Sequence, residues 1–284
     1  MNRKNIHWYP GHMKKAFIEL ENRLKVIDVV IEICDARAPI SSRNPFLNVV
    51  LKDKKRILVL SKKDLVDINL LTPFIKKYEE EGLVLPFDIK SKEDIKELKR
   101  MIEKASSDKR LKEQKRGMKP QPIRVMVVGI PNVGKSSLIY ALVGKESASK
   151  ANTPGHTRAQ QWIRSLKDIE LLDTPGILPP HYEDHLIALH LALIGAIPST
   201  ILPTSELYDN LLELLLPKYK EEFISRFHLI EDDLTSSLGI KEGIAKSRGL
   251  LLKEGKYDFD AVENLVLKEF KEGKIVHLVV DSLC

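Results

Sequence analysis

The chain has 284 residues, 43% hydrophobic and 30% charged, which fits a soluble α/β domain with a smaller companion. Its net charge of +6 is uneven: residues 1–205 hold 35 basic and 24 acidic side chains, residues 206–284 hold 11 and 16, so the basic part suits phosphate backbones or an acidic surface. Cys34 and Cys284 make no disulfide framework, the apolar run Ile187–Ile197 is too short to span a bilayer, and Met1–Trp8 lacks a secretory core, so a reducing, cytoplasmic location without a membrane anchor is expected.

Val26–Cys34 is an apolar, β-branched run suited to a strand buried on both faces. Arg56–Leu60 is the next strand, Pro73–Glu81 a helix, Leu83–Phe87 a strand and Glu93–Ala105 a helix. Ser106–Pro122 turns polar and basic and reads as a linker that also suits RNA contact. Ile123–Gly129 is a strand feeding a helix that runs to about Val143, and Gln161–Leu166 with Asp168–Leu172 forms a hairpin. Alternation of this kind implies a mainly parallel sheet with right-handed crossovers. Past Pro180 the apolar period becomes helical, as in Leu207, Leu211, Leu214, Leu215 and in Phe259, Val262, Val266, Phe270. Asp258 or Asp260 can cap the last helix and Gly273 can stop it. The expected division is an α/β domain over 1–180 and an all-helical domain over 181–284.

Gly129-Ile130-Pro131-Asn132-Val133-Gly134-Lys135-Ser136 fits the phosphate-binding pattern G-x-x-x-x-G-K-[ST], between a strand and a helix. Backbone N–H groups there cradle phosphates at the positive end of the helix. Asn132, Val133, Gly134, Lys135, Ser136 and Ser137 form the nucleotide-binding run, with Lys135 also catalytic and Ser136 a Mg²⁺ ligand. Asp173-Thr174-Pro175-Gly176 ends a strand, where Asp173 holds Mg²⁺ and the Gly176 amide senses the γ-phosphate. In Pro154-Gly155-His156-Thr157, Thr157 is the switch residue, both catalytic and a Mg²⁺ ligand, with Thr153 as competitor.

In Ser61-Lys62-Lys63-Asp64 the Asp64 carboxylate accepts from guanine N1–H and its exocyclic amine, a pair that adenine lacks. The Lys62 stem covers the base. Ser61 stands where such motifs open with Asn and cannot reproduce its contacts, so guanine preference is expected to survive in weakened form. Lys90 and Ser91, in Asp88-Ile89-Lys90-Ser91, complete the base side. Ile177 has no polar atom to align water, so hydrolysis by the isolated chain should be slow. Asn132 is the carboxamide found where K⁺ is recruited as an added cation. His181 and His185 stand i,i+4 with Asp184 between them, a conceivable metal pair or a solvated helix start. His12 reads as a turn histidine, an RNA contact or a catalytic group.

The base-reading motif precedes the phosphate loop, the reverse of the usual order, so the chain reads as a circularly permuted Ras-like P-loop GTPase domain with a small C-terminal helical domain. It resembles the ribosome biogenesis GTPase A family, the YlqF-type circularly permuted GTPases. That resemblance rests on these motifs, on Trp8-Tyr9-Pro10-Gly11-His12-Met13-Lys14-Lys15-Ala16, Asp35-Ala36-Arg37-Ala38-Pro39, Ser41-Ser42-Arg43-Asn44-Pro45, Ala159-Gln160-Gln161-Trp162 and Leu171–Leu178. It implies GTP and GDP binding, Mg²⁺, and hydrolysis triggered on the maturing large ribosomal subunit with its rRNA as partner. It also implies that the His12 segment aids catalysis there and that the helical domain touches rRNA. No membrane or DNA partner is expected. The alternative is a nucleotide-regulated RNA scaffold with negligible turnover.

Overall fold

The structure, a computed structural model, describes residues 18, 20–51, 54–143, 168–174, 176, 178, 184–253 and 255–283, and the backbone alone of 6–7, 161–165 and 181–182. The strands are β1 (Ile6–His7), β2 (Val29–Asp35), β3 (Lys55–Ser61), β4 (Leu83–Phe87), β5 (Ile123–Val128), β6 (Gln161–Ser165), β7 (Ile169–Asp173) and β8 (His181–Tyr182). The helices are α1 (Pro45–Val50), α2 (Ile68–Glu79), α3 (Lys92–Ala105), α4 (Ser107–Lys115), α5 (Lys135–Val143), α6 (His185–Leu193), α7 (Thr204–Phe227), α8 (Ser237–Arg248) and α9 (Phe259–Lys271).

Six strands form one sheet in the order β4-β3-β2-β5-β7-β6, parallel except for the edge strand β6. The chain steps one way from β2 to β3 and β4, then jumps back across β2 to β5 and continues the other way to β7. The direction reverses between β2 and β5, and open α/β sheets bind ligands at the carboxyl ends of strands at such a point. The phosphate loop leaves β5 there. Register sets Asp35 beside Ser61 and Val127 beside Asp173, which brings the ends of four strands to one edge.

Because side chains alternate across a strand, β2 feeds two apolar layers. Val29, Ile31 and Ile33 pack with β5 residues Val125 and Val127, α5 residues Leu138 and Leu142, and a core that continues into α6, α7 and α9. Val30 faces the other way, with Met126, Val128, Leu172, Leu20, Leu24 and Leu47. Glu32, in the same strand and only 1% exposed, is matched by Arg43 at 3.2 Å and Arg56 at 3.1 Å. Burying an unpaired carboxylate would cost several kcal/mol (roughly), and this explains the arginine of Ser41-Ser42-Arg43.

Several sequence expectations shift. β2 begins at Val29 because Val26 and Ile27 close a turn onto Arg23 O and Leu24 O. α2 starts at Ile68 rather than Pro73, since the Asp67 carboxylate caps the Asn69 N–H at 2.8 Å and Pro73 falls inside the helix. Ser106–Pro122 is more than a linker: α4 forms within it, secured by Lys109 to Asp28 and Pro122 O, both 2.7 Å, and by Arg110 to Gln121 O at 2.6 Å.

Beyond residue 184 the described chain is mostly helical. α7 runs through Pro217 and kinks at Tyr219, where φ is −130°, as expected of a ring that removes an internal hydrogen bond. Asp258 caps α9 through the Ala261 N–H at 2.9 Å, and Gly273 ends it with φ +69°. Residues 275–283 then leave the helical part and run back along the sheet's carboxyl edge. Val280 N–H donates to Arg37 O at 2.7 Å and Asp67 N–H to His277 O at 3.1 Å. His181 belongs to β8, paired antiparallel with Ile6–His7, while His185 starts α6 and meets Glu206 at 2.6 Å. The two histidines therefore do not share one helix turn, and no metal-holding cluster occurs among the described residues.

Candidate functional site

The parallel strands end in polar groups at the reversal point: Asp35 ends β2, Ser61 ends β3, Asp173 ends β7, and the phosphate loop follows β5. Gly134 has φ +101°, a conformation side chains resist, and lets the loop turn into α5. Lys135 is buried, and its Nζ donates to Ile130 O at 2.7 Å within the same loop. Burial pushes its pKa down to about 8, with the Asp173 carboxylate pulling upward. Ser136 Oγ lies 3.4 Å from Asp173 Oδ2. Ser137 is exposed on the first turn of α5. Thr174 anchors the end of β7 through its hydroxyl to Val127 O at 2.7 Å. Gly176 lies against the phosphate loop so closely that a Cβ would meet Pro131 N at 2.6 Å.

On the base side, buried Ser61 has its Oγ 2.8 Å from Cys34 O and 2.6 Å from Val133 O. One hydroxyl proton serves one carbonyl at a time, yet either bond ties this strand end to a neighbour, and the second reaches the phosphate loop. Lys62 takes φ +58°, and its Nζ reaches Asp35 Oδ2 at 2.7 Å and Asn132 O at 3.1 Å. Lys63 pairs with Asp94 at 2.6 Å, and Asp94 also accepts Asp88 N–H at 2.8 Å. Asp64 is exposed and 3.4 Å from Lys90 Nζ, so the two base-side loops approach each other. Ser91 caps α3 through the Asp94 N–H at 3.1 Å. Asn132 has φ +59° and its amide donates to Gly195 O at 3.1 Å.

Two residues gain a place in the site that motif reading alone did not assign. Asp35 is fully buried and receives Arg37 Nε at 2.9 Å and Nη2 at 2.7 Å in addition to Lys62. Burial pushes its carboxyl up, but Arg37 and then Lys62 outweigh this and hold it below the usual carboxylate range. The available signal was an acid ending a mostly apolar strand at the sheet's carboxyl edge, with an arginine two residues on. His12, Thr157, Thr153 and Ile177 lie outside the described residues. In the helical part, Lys241 is taken up by Glu263 at 2.6 Å and Arg248 by Arg226 O at 2.7 Å, so both cations serve internal contacts.

A family model described as 50S ribosome-binding GTPase matches residues 124–207. Ribosome biogenesis GTPase A of Bacillus cereus is 40% identical over 98% of this chain and 94% of its own length. Its counterpart in Priestia megaterium is 39% identical over 98% and 96%. Among solved structures, GNP-bound YlqF from Thermotoga maritima aligns with a TM-score of 0.64 at 24% identity, covering 94% of this chain and 97% of that one. GDP-bound YlqF aligns at 0.66 and 22%, covering 93% and 98%. These two structures share the fold, with its permuted strand order. Near-full-length identity on both sides, a GTPase family match and a phosphate loop set behind the base-reading strand lead to one conclusion: the chain belongs to the ribosome biogenesis GTPase A family of circularly permuted GTPases.

Proposed function

We propose that the chain binds GTP and GDP and acts as an assembly factor of the large ribosomal subunit, hydrolysing GTP slowly alone and faster on that subunit. The observation that carries this reading is the meeting of Lys135, Ser136 and Asp173 across the reversal point from Lys62 and Asp64, with Gly176 against Pro131. Lys135 neutralises the β- and γ-phosphates, while Asn132, Val133, Gly134 and Ser137 offer the loop and helix start around them. Asp64 and Lys62 read and cover the guanine, with Ser61, Lys63, Lys90 and Ser91 shaping that side.

Ser136 Oγ and Asp173 Oδ2 are hard oxygen donors of the kind Mg²⁺ takes, close together beside the positive start of α5. They would hold the ion with Thr157, and the ion supplies charge neutralisation at the phosphates. Asn132 spends its amide on Gly195 O, which leaves the carboxamide oxygen as the donor for K⁺. His12 takes part in hydrolysis on the subunit. Residues 1–180 then carry the GTPase work and 181–284 the companion domain, in the cytoplasm, with rRNA met chiefly by the basic side.

The test is GTP hydrolysis with and without large subunits, in K⁺ and in Na⁺, for the wild type and His12→Ala. The expected outcome is strong stimulation in K⁺ that falls about 100-fold or more in the variant. Intact binding without stimulation would replace this reading with a nucleotide-regulated RNA scaffold.

A further inference from the structure

We infer that Asp35 is a positioning residue for guanine-nucleotide binding, acting through Lys62, and that Arg37 couples it to the Ile194–Gly195 turn of the helical part. The inference rests on the reading of Lys62 as the residue that covers the base.

Asp35 closes β2 and its carboxylate is sealed from water, with Arg37 Nε on Oδ1 at 2.9 Å and both Arg37 Nη2 and Lys62 Nζ on Oδ2 at 2.7 Å. A buried anion of this kind fixes its partners, because any departure leaves it uncompensated. Lys62 sits at φ +58°, and among the described residues its ammonium also meets Asn132 O at 3.1 Å. The lysine stem is thus stretched between the end of β2 and the phosphate loop, and its line is set by where Asp35 stands.

Arg37 extends the chain of contacts. With Asp35 satisfied, its remaining N–H groups reach Ile194 O at 2.9 Å and Lys271 O at 3.1 Å. The next carbonyl, Gly195 O, receives the Asn132 amide at 3.1 Å. Two consecutive carbonyls of one turn therefore hold the base side, through Arg37, Asp35 and Lys62, and the phosphate side, through Asn132. Gly195 has φ +75°, which presents both carbonyls as they stand. The turn follows α6, and α6 follows the Asp173–Gly176 segment, so a shift of the helical part is felt on both sides of the nucleotide.

A double-mutant cycle on Lys62→Met, Asp35→Asn and their combination tests this, read as the dissociation rate of fluorescent GDP and the preference for GDP over ADP. Lys62→Met should release GDP about tenfold faster, Asp35→Asn nearly as much, and the double variant no faster than Lys62→Met. Both single variants should also narrow the GDP-to-ADP preference, which a general loosening of the fold would leave in place. Arg37→Lys, which keeps the charge and loses the fork to Ile194 O and Lys271 O, should release GDP severalfold faster (roughly). If Asp35→Asn does not fold, Asp35→Glu takes its place, since it retains the charge and moves the carboxylate by one methylene. Multiplying effects in the cycle, or an unchanged base preference in the Asp35 variant, would overturn the inference while leaving the base-reading role of Lys62 intact. A Lys62→Ala protein, which loses the stem as well, that still binds GDP like the wild type would remove that role, and the inference with it.

Discussion

Lys135 links nucleotide binding to pH. Its pKa of about 8 in the nucleotide-free fold stands below the ordinary 10.5 because the ammonium is buried. Phosphates beside it restore the charge and raise that pKa. Below about 8 the lysine is already protonated, so GDP affinity should be level there. Above it, binding takes up a proton and affinity should fall by up to about tenfold per pH unit. Calorimetry in buffers of different ionisation enthalpy checks this, with proton uptake near zero at about pH 7 and close to one at about pH 9. Folding runs with the opposite sign: between about 8 and 10.5 the unfolded chain holds more protons, so the nucleotide-free fold gains stability as pH rises. The placement of Lys135 at the start of α5 and of Asp173 at the end of β7 could be read in advance, because each is local to one strand and one turn. The contact of Arg37 with Ile194 O could not, since a backbone carbonyl 157 residues away leaves no mark on composition or period.

Among the elements, α4 and the segment 275–283 show what local patterning misses. α4 has no apolar stripe, and its order comes from Lys109 and Arg110 bonding to Asp28, Pro122 O and Gln121 O, so hydrophobic periodicity had nothing to report. The 275–283 segment has apolar residues but no helical period, and besides its backbone bonds to Arg37 and Asp67 it is anchored by one carboxylate. Asp281 accepts Ile40 N–H at 2.6 Å, Ser41 N–H at 2.8 Å and the Ser41 hydroxyl at 2.5 Å, and lies 2.8 Å from His190 Nδ1. Asp281→Ala strands these donors in a largely buried place and should cost about 3 kcal/mol, read as the midpoint of denaturant unfolding. Asp281→Asn keeps one acceptor and should cost about half as much. Where the elements themselves were concerned, the parallel strands stood out as unbroken apolar, β-branched runs and α9 through its helical period, and Asp258 supplied a cap that the sequence already marked.

At the scale of the whole molecule, the charge division bears on the proposed contact with rRNA. Lys112, Lys115, Arg116 and Lys119 are exposed on or just after α4, on the basic side, whereas Lys241 and Arg248 are occupied within the acidic part. Replacing Lys112 and Arg116 with Gln should weaken large-subunit binding at low salt and flatten the slope of log affinity against log salt by about 1 to 2. Lys246→Gln should leave that slope within error of the wild type. Filter binding across a salt series checks both.

The closing of residues 275–283 over the loop after β2 has a consequence for biosynthesis. Ile40 and Asp281 are 241 residues apart in the chain. At roughly 5–20 residues per second, translation needs about 12–50 s to bring the second to the first. During that interval β2, β3 and the phosphate loop can already be assembled while Arg37 waits for its carbonyls and Ser41 for its carboxylate. A nascent chain therefore holds a nucleotide cradle before it holds the brace, and its mature grip on the nucleotide should arrive only after residue 281 has cleared the exit tunnel of the very machine this family helps to build.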